Sequence, residues 1–234
     1  MGKELSLFVL LAMMMVCGEP NERGGTMLKA EVLEKSAERI ALPSPARSGH
    51  MSLEAALARR RSVREFSNRP LSDQDLSQLL WAAQGITHPE GLRTAPSAGA
   101  LYPLELYVAY AAGLYRYDPQ RHELQRRSER DLRPALYRAA LEQESVREAP
   151  AVFLITAIYG RTARKYGDTR SPRYVHMEAG HAAQNLLLQA VALGLGAVPI
   201  GAFHDAQVQK VLGLAAEEYP LYLIPAGYAR SRPR

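Results

Sequence analysis

The sequence contains a single cysteine and few purely apolar rings. Cys17 stands alone among 234 residues, which excludes an internal disulfide framework and a zinc site built from cysteines. One Trp and four Phe stand against twelve Tyr, so most rings carry a hydroxyl group. Hydrophobic residues make up 47% and charged residues 23% of the chain, which excludes a disordered or fibrous protein.

The start of the chain fits two interpretations. Residues 5–16 are almost wholly apolar and follow Lys3 and Glu4; this run is shorter than the about 20 residues of a membrane span but suits a secretory signal. Cys17 directly after the run predicts a lipid anchor on its thiol, and hence an exported or membrane-anchored lipoprotein. The residues before Cys17 are not the small ones that such sites favour. The alternative is translation from Met27, which predicts a cytoplasmic protein.

The rest of the sequence predicts one domain of the α+β class. We expect residues 1–49 to form the signal or lipoprotein segment and a linker, with at most one short helix over residues 28–40, and residues 50–234 to form the domain. Helices and strands are mixed without regular βαβ alternation. The predicted helices cover residues 52–61, 72–85, 132–143, 178–195 and 205–212, and the predicted strands cover residues 104–111, 114–118, 123–127, 151–159 and 219–228.

The formal net charge of +5 comes mainly from local groups of basic residues. Arg60 and Arg64 lie four residues apart and would share a helix face if the helix continued; with Ser62 they suit a phosphate dianion. The alternative is a solvated basic helix end. The second group, in residues 161–173, lacks the aromatic interleaving of a nucleic-acid surface, so we expect no nucleic-acid partner.

Two loops and one basic dipeptide are further candidates for a site. Residues 95–103 form a narrow, proline-bounded loop, but without a G-x-S-x-G elbow a nucleophilic Ser97 is disfavoured. Residues 194–203 are glycine-rich without the dinucleotide spacing, and the amides of residues 199–203 could meet a ligand edge. Lys165-Tyr166 could supply a base and an acid, although composition alone favours a solvated surface loop there.

No metal site is expected. His176 and His181 are five residues apart, which places them on different faces of a helix, and no H-E-x-x-H pattern is present.

Five segments, taken in order, resemble the flavin-dependent nitroreductase superfamily, and within it the SagB/ThcOx-type dehydrogenases. The resemblance extends from about residue 52 to residue 230. The segments are RRSVREF (60–66), LLWAAQGIT (79–87), RTAPSAGALYPLELYV (93–108), GLYRYD (113–118) and EAGHAAQNLLLQAVALGLGAVPIGAF (178–203).

The resemblance implies a nitroreductase-like fold, with a central mixed or antiparallel sheet flanked by helices, in an interlocked homodimer that binds FMN at the subunit interface. The helix over residues 178–195 then becomes the core helix of the dimer. The resemblance also implies a role for each candidate residue.

The residues expected to bind the FMN phosphate and ribityl chain are Arg60, Arg61, Ser62, Arg64 and Arg230. Those for the isoalloxazine are Pro96, Ser97, Ala98 and Gly99 from the other subunit, and Pro199, Ile200, Gly201 and Ala202 near flavin N5. The catalytic base and acid are Lys165 and Tyr166.

The implied function is hydride transfer through flavin N5. One version reduces nitro or quinone-type acceptors with NAD(P)H as the donor. The other dehydrogenates a small-molecule or peptide substrate, as the azoline-oxidising members do, although no obvious extra peptide-recognition domain is present here. The alternative is a flavin-binding module without turnover.

Overall fold

The secondary structure follows from local sequence signals. The computed structural model describes residues 38–230. Ser72 begins the second helix with a complete capping box, in which its hydroxyl accepts from the Asp75 amide at 3.1 Å and the Asp75 carboxylate accepts from the Ser72 amide at 3.0 Å. Gly85 is the C-cap that ends this helix. A Cβ at this position would lie 2.0 Å from the Trp81 ring, so glycine allows the ring to pack there.

Six helices and seven strands are present in the described part of the chain. The helices are α1 (Leu53–Arg59), α2 (Asp73–Gln84), α3 (Arg133–Ala139), α4 (Glu144–Glu148), α5 (Tyr159–Ala192) and α6 (Asp205–Leu212). The strands are β1 (Arg39–Ala41), β2 (Leu104–Tyr110), β3 (Gly113–Asp118), β4 (Glu123–Ser128), β5 (Ala151–Ile158), β6 (Gly196–Ala197) and β7 (Glu218–Gly227). A short 3₁₀ turn, Ala98–Ala100, precedes β2.

The strands form one antiparallel sheet in the order β1-β4-β3-β2-β5-β7-β6. Strand β5 lies inside the sheet between β2 and β7, and its apolar run is buried on both faces. Alternate residues point to opposite sides, so Phe153 and Ile155 face one core and Val152 and Leu154 face the other. The α+β class and the helix-flanked antiparallel sheet are therefore as predicted.

Helices cover both faces of the sheet. Leu79 and Leu80 of α2 and Leu186 of α5 are fully buried in the first core. Leu136 of α3, Val146 of α4 and Val208 of α6 close the second core. Within residues 38–230, no helix is both long enough and apolar enough to cross a membrane.

Four predicted elements differ from those observed. Residues 39–41, expected in the linker and, up to residue 40, in the helix predicted over residues 28–40, instead pair with β4 as strand β1, so β4 is not at the edge of the sheet. The helix predicted over residues 132–143 is divided into α3 and α4, and His204 rather than Asp205 caps α6. Helix α5 starts at Tyr159, so the basic stretch 161–173 is helical and not a loop. Residues 28–37 of the helix predicted over residues 28–40 lie outside the described residues.

Candidate functional site

The RRSVREF segment lies beside the glycine-rich strand β6. Helix α1 ends at Arg59, and Arg60, its C-cap, has the extended angles φ −56° and ψ 122°. The amide of Val63 donates to the Ala197 carbonyl at 3.1 Å. A Cβ at Gly196 would lie 2.6 Å from the Val63 side chain, so glycine allows this close approach. The segment is therefore extended, and Arg60 and Arg64 do not share a helix face.

The three arginines of this segment differ in their contacts. Arg61 folds back on α1, where its guanidinium donates to the carbonyls of Ala58 at 3.0 Å and Arg60 at 2.8 Å. Within residues 38–230, the side chains of Arg60 and Arg64 make no hydrogen bond or ion pair. Ser62 is exposed between them. Two guanidinium groups and a hydroxyl are thus available to an anion.

Arg230 lies next to this segment through its main chain only. Its amide donates to the Glu65 carbonyl at 3.0 Å, while its guanidinium forms an ion pair with Glu148 at 3.0 Å. That ion pair borders a cavity of about 470 Å³ that Arg133 and Arg147 also line. The structure therefore places the Arg230 backbone, but not its charge, beside the candidate phosphate-binding segment.

The extended segment that follows β6 presents amides without an acceptor among the described residues. Ile200 exchanges two backbone hydrogen bonds with Leu223, at 2.8 and 3.0 Å, which fixes Pro199 and Ile200 against β7. Beyond this point Gly201 and Ala202 are exposed, and neither amide has an acceptor among the described residues. The Ala202 carbonyl accepts from Gln143 at 2.8 Å, so the chain is held while its amides stay available.

The proline-bounded loop makes a tight, left-handed turn. The Ser97 hydroxyl accepts from the Tyr102 amide at 2.9 Å, and the Ala100 amide donates to the Ser97 carbonyl at 3.0 Å. Gly99, Ala100 and Tyr102 all have positive φ, at 63°, 53° and 45°. For the two non-glycine residues this conformation costs roughly 1 kcal/mol each or more, which the surrounding contacts must offset. Pro96 is exposed and Ala98 half-buried at the surface of this turn.

Lys165 and Tyr166 converge on that turn. A Cβ placed on Gly99 would lie 3.0 Å from the Lys165 Nζ and 3.1 Å from the Tyr166 hydroxyl. The Tyr174 ring packs edge-on against the Tyr166 ring, with 4.8 Å between centroids. The structure thus brings together, within one chain, the predicted acid–base pair and the loop predicted to meet the isoalloxazine. We call Gly99, Lys165 and Tyr166 the Lys–Tyr cluster.

Sequence reasoning missed the charged residues that hold this loop. Arg161, one turn before Lys165, donates to the Tyr102 carbonyl at 3.1 Å and to the Glu105 carboxylate at 2.5 Å. Arg93 stacks on the Tyr102 ring, with its guanidinium carbon 4.4 Å from the centroid, and donates to Gln84 at 2.9 Å. The only signal for Arg93 is that it begins the RTAPSAGALYPLELYV segment, and the only signal for Arg161 is that it belongs to the basic stretch 161–173.

Glu178 lies buried beneath the loop. It is 2% exposed, and its Oε1 has no hydrogen-bond partner within residues 38–230. Burial raises the pKa of the Glu178 carboxyl to about 7, and the neighbouring Ser97, Arg93 and Gln84 only partly oppose this rise. The sequence offered one signal, because Glu178 interrupts a helix that is otherwise apolar nearly all round.

The candidate residues therefore form two separate groups. One group consists of the RRSVREF segment with β6 and the amides of Gly201 and Ala202; the other consists of the proline-bounded loop with the Lys–Tyr cluster and Glu178. No hydrogen bond or ion pair within residues 38–230 joins residues 60–64 to residues 96–100. A ligand that needs both groups has to bridge them, within one chain or between two.

A helix-flanked antiparallel sheet that carries two groups of candidate site residues defines a protein of the α+β class. The chain belongs to the Nitroreductase family, which residues 57–228 match. It is 47% identical over 183 residues to a protein of Methanocaldococcus jannaschii that is named as a nitroreductase, a match covering 76% of this chain and 91% of that protein.

Solved structures agree with this assignment. A protein from Ralstonia eutropha, also named as a nitroreductase, superposes with a TM-score of 0.77 at 36% identity, covering 83% of this chain and 90% of that one. A chain of the Escherichia coli microcin synthetase McbBCD complex, with truncated pro-MccB17 bound, superposes with a TM-score of 0.66. That match covers 93% of this chain and 85% of the other, and at 22% identity it shows a shared fold.

Proposed function

We propose that the protein is an FMN-dependent oxidoreductase in which Lys165 and Tyr166 move protons at the substrate. The observation that carries this proposal is the convergence of the Lys165 Nζ and the Tyr166 hydroxyl on Gly99. When bound, FMN supplies hydride exchange at its N5 atom. The protein supplies the position of the cofactor and the proton-transfer groups.

The residues present fit a phosphate-bearing, planar cofactor. Arg60 and Arg64 offer guanidinium groups without partners in the described chain, and Ser62 offers a hydroxyl, which together suit a phosphate group. The free amides of Gly201 and Ala202 suit acceptor atoms along a ring edge. Gly99 has no side chain, which allows a flat ring to approach the loop backbone closely beside Lys165 and Tyr166.

The division into two groups supports a dimeric protein with a site at the subunit interface. In that arrangement the RRSVREF segment and β6 of one subunit face the proline-bounded loop of the partner. Each site then includes phosphate-binding residues from one chain and the Lys–Tyr cluster from the other. We propose an interlocked homodimer on this basis, and sedimentation of the holoprotein at twice the monomer mass of 25.9 kDa is the expected result.

Within this site the two side chains have distinct tasks. Lys165 accepts a proton from the substrate atom that loses hydrogen, or returns it when the reaction runs as a reduction. The Tyr166 ring is held edge-on by Tyr174, and its hydroxyl donates a hydrogen bond or a proton to the substrate atoms next to Lys165. The substrate is a small molecule or a peptide segment, and electrons come from NAD(P)H or leave to oxygen.

Two variants test the division between cofactor binding and chemistry. We expect Arg64→Ala to weaken FMN retention, measured as flavin released on gel filtration, because it removes one of the two free guanidinium groups. We expect Lys165→Ala to retain FMN and to lower turnover by about 10²-fold or more, which is typical of losing a general base. Arg127→Ala, an exposed arginine on β4, is the matched control and should change neither property.

The outcomes separate the candidate functions. Turnover is screened as NADH- or NADPH-driven reduction of nitro and quinone compounds, and as oxygen-coupled dehydrogenation of azoline compounds. Protein that binds FMN but shows neither activity is a flavin-binding module without turnover. Colourless protein that does not bind FMN contradicts the proposal altogether, and equal FMN loss in both variants contradicts the assigned roles.

A further inference from the structure

A small cavity next to the Lys–Tyr cluster is lined by three arginines. Arg93, Arg116 and Arg161 come from the loop before β2, from β3 and from the start of α5, and they surround about 220 Å³ together with Glu105, Asp118 and Gln84. We call this the arginine cavity. Its volume equals about seven water molecules at roughly 30 Å³ each, which is enough for one small organic group.

Some N–H donors of the guanidinium groups around this cavity have no hydrogen-bond acceptor among residues 38–230. The Glu105 carboxylate, 9% exposed, accepts from Arg116 Nε at 2.8 Å and from Arg161 Nη2 at 2.5 Å. The Arg116 side chain makes no other hydrogen bond within residues 38–230, so its Nη1 and Nη2 groups are free, and it is 31% exposed. A planar fork with two free terminal nitrogens matches the two oxygens of a carboxylate.

The charges favour a singly charged anion. The lining carries three guanidinium groups against the carboxylates of Glu105 and Asp118, which leaves one positive charge. Asp118 is already engaged, since it accepts from the amides of Gln120 at 2.8 Å and Arg121 at 3.2 Å and from the Gln125 side chain at 3.1 Å, and it forms an ion pair with the Arg121 guanidinium at 3.4 Å. A monocarboxylate neutralises the excess, whereas a phosphate dianion would add a second charge beside two carboxylates.

The cavity adjoins the region where the proposed chemistry takes place. Arg161 lies four residues before Lys165 on the same helical stretch, so the two side chains are neighbours, with about 5–6 Å between their Cβ atoms. The second Arg161 donor binds the Tyr102 carbonyl at the end of the proline-bounded loop. A group anchored in the arginine cavity is therefore within a short chain of the Lys–Tyr cluster.

We infer that the arginine cavity binds a carboxylate, and that the substrate of the Lys–Tyr cluster carries one. The carboxylate is held by the free Nη groups of Arg116, beside the Glu105–Arg161 ion pair, and the reacting part of the substrate extends toward Gly99. The second half of this inference rests on the proposed function, while the binding of a carboxylate does not. Residual positive charge and unpaired donors at a cavity wall distinguish it from an ion-pair network that serves packing alone.

The test is isothermal titration calorimetry of the FMN-loaded full chain with benzoate, benzamide and inorganic phosphate. We expect benzoate to bind, benzamide to bind at least tenfold more weakly because it lacks the charge, and phosphate to bind more weakly than benzoate. This comparison needs no variant, so it stands even if a substitution in the cavity prevents folding. Absence of benzoate binding, equal binding of benzamide, or tighter binding of phosphate overturns the inference.

Variants then locate the site. Arg116→Gln should weaken benzoate binding at least tenfold, and Arg116→Lys should give an intermediate affinity because it keeps the charge and loses the fork. Arg127→Gln, an exposed arginine on the adjacent strand, should bind benzoate as the parent does. Lys165→Met should bind benzoate with an affinity within twofold of the parent. If Lys165→Met loses more affinity than that and Arg116→Gln loses none, the carboxylate binds at Lys165 and the arginine cavity is not its site.

The two proposals fail in different ways. Protein without FMN or turnover that still binds benzoate through Arg116 refutes the proposed function and leaves the carboxylate site in place. Protein with FMN and turnover but no benzoate affinity refutes only the carboxylate site.

Discussion

Replacing Glu178 by glutamine should stabilise the protein above neutral pH. The carboxyl is buried beneath the proline-bounded loop, and its pKa is raised from 4.5 to about 7, first of all by desolvation. Between pH 4.5 and about pH 7, the carboxyl is therefore mostly protonated in the folded state and mostly ionised in the unfolded state. Stability contributed by this proton is present below pH 4.5 and is lost as the pH rises toward 7.

The magnitude follows from the two pKa values. A difference of about 2.5 pKa units corresponds to about 3 kcal/mol of unfolding free energy lost at pH 8, and to about 1 kcal/mol lost at pH 5. Glutamine has nearly the shape of the protonated carboxyl and does not ionise. The variant should thus exceed the parent in unfolding free energy by about 2 kcal/mol more at pH 8 than at pH 5.

Urea unfolding of parent and Glu178→Gln, at pH 5 and pH 8 and at one fixed protein concentration, measures this difference. Fixing the concentration removes any contribution from association of subunits. A Glu142→Gln variant, which changes an exposed carboxyl in the turn between α3 and α4, controls for net charge. A variant that is equally stabilised at both pH values, or destabilised at pH 8, would refute the reasoning that a buried, partly unpaired carboxyl sets the pH dependence.

Two further predictions concern the fold. Gly113→Ala should lower the unfolding free energy by about 3 kcal/mol or more, because φ is +133° and the new Cβ would lie 2.1 Å from the Ser128 carbonyl oxygen. The control is Gly91→Ala, where φ is +82° and the space is open. In the same urea titrations it should lower the unfolding free energy by only about 1 kcal/mol. Ser72→Ala should lower the unfolding free energy by about 1 kcal/mol through loss of the capping box, and a change under 0.3 kcal/mol would show that the cap contributes little.

Much of the fold could be predicted because its signals are local. The capping box at Ser72, the apolar run of β5 and the hairpin at Gly113 each identify an element without reference to the rest of the chain. Strand β1 could not be predicted, since three residues acquire their conformation only by pairing with β4. The start of α5 was missed for a similar reason: a polar, basic stretch with Gly167 and Pro172 reads as a loop until it packs on the sheet.

The candidate site was predictable in its parts and not in its assembly. The RRSVREF segment and the Lys165-Tyr166 pair were proposed from the family resemblance of the motif order, since residue type alone also fits a solvated helix end and a surface loop. What the sequence could not supply is that Gly99 lies against both side chains, or that Arg93, Glu105 and Arg161 hold the loop from behind. The contacts that Arg161, Lys165 and Tyr166 make with this loop join residues more than 50 positions apart, and nothing in either segment alone specifies its partner.

Helix α5 contains a break at Gly167, which separates the proposed catalytic residues from the buried residues of the same helix. Gly167 has φ 74° and ψ 163°, outside the helical region, so the helix consists of two stretches that meet at this residue. The stretch before Gly167 carries Lys165, Tyr166 and Arg161, while the stretch after it carries the buried core residues Val175 to Leu187. A substitution next to Lys165 or Tyr166 therefore changes the first stretch and leaves the buried residues of the second stretch as they are.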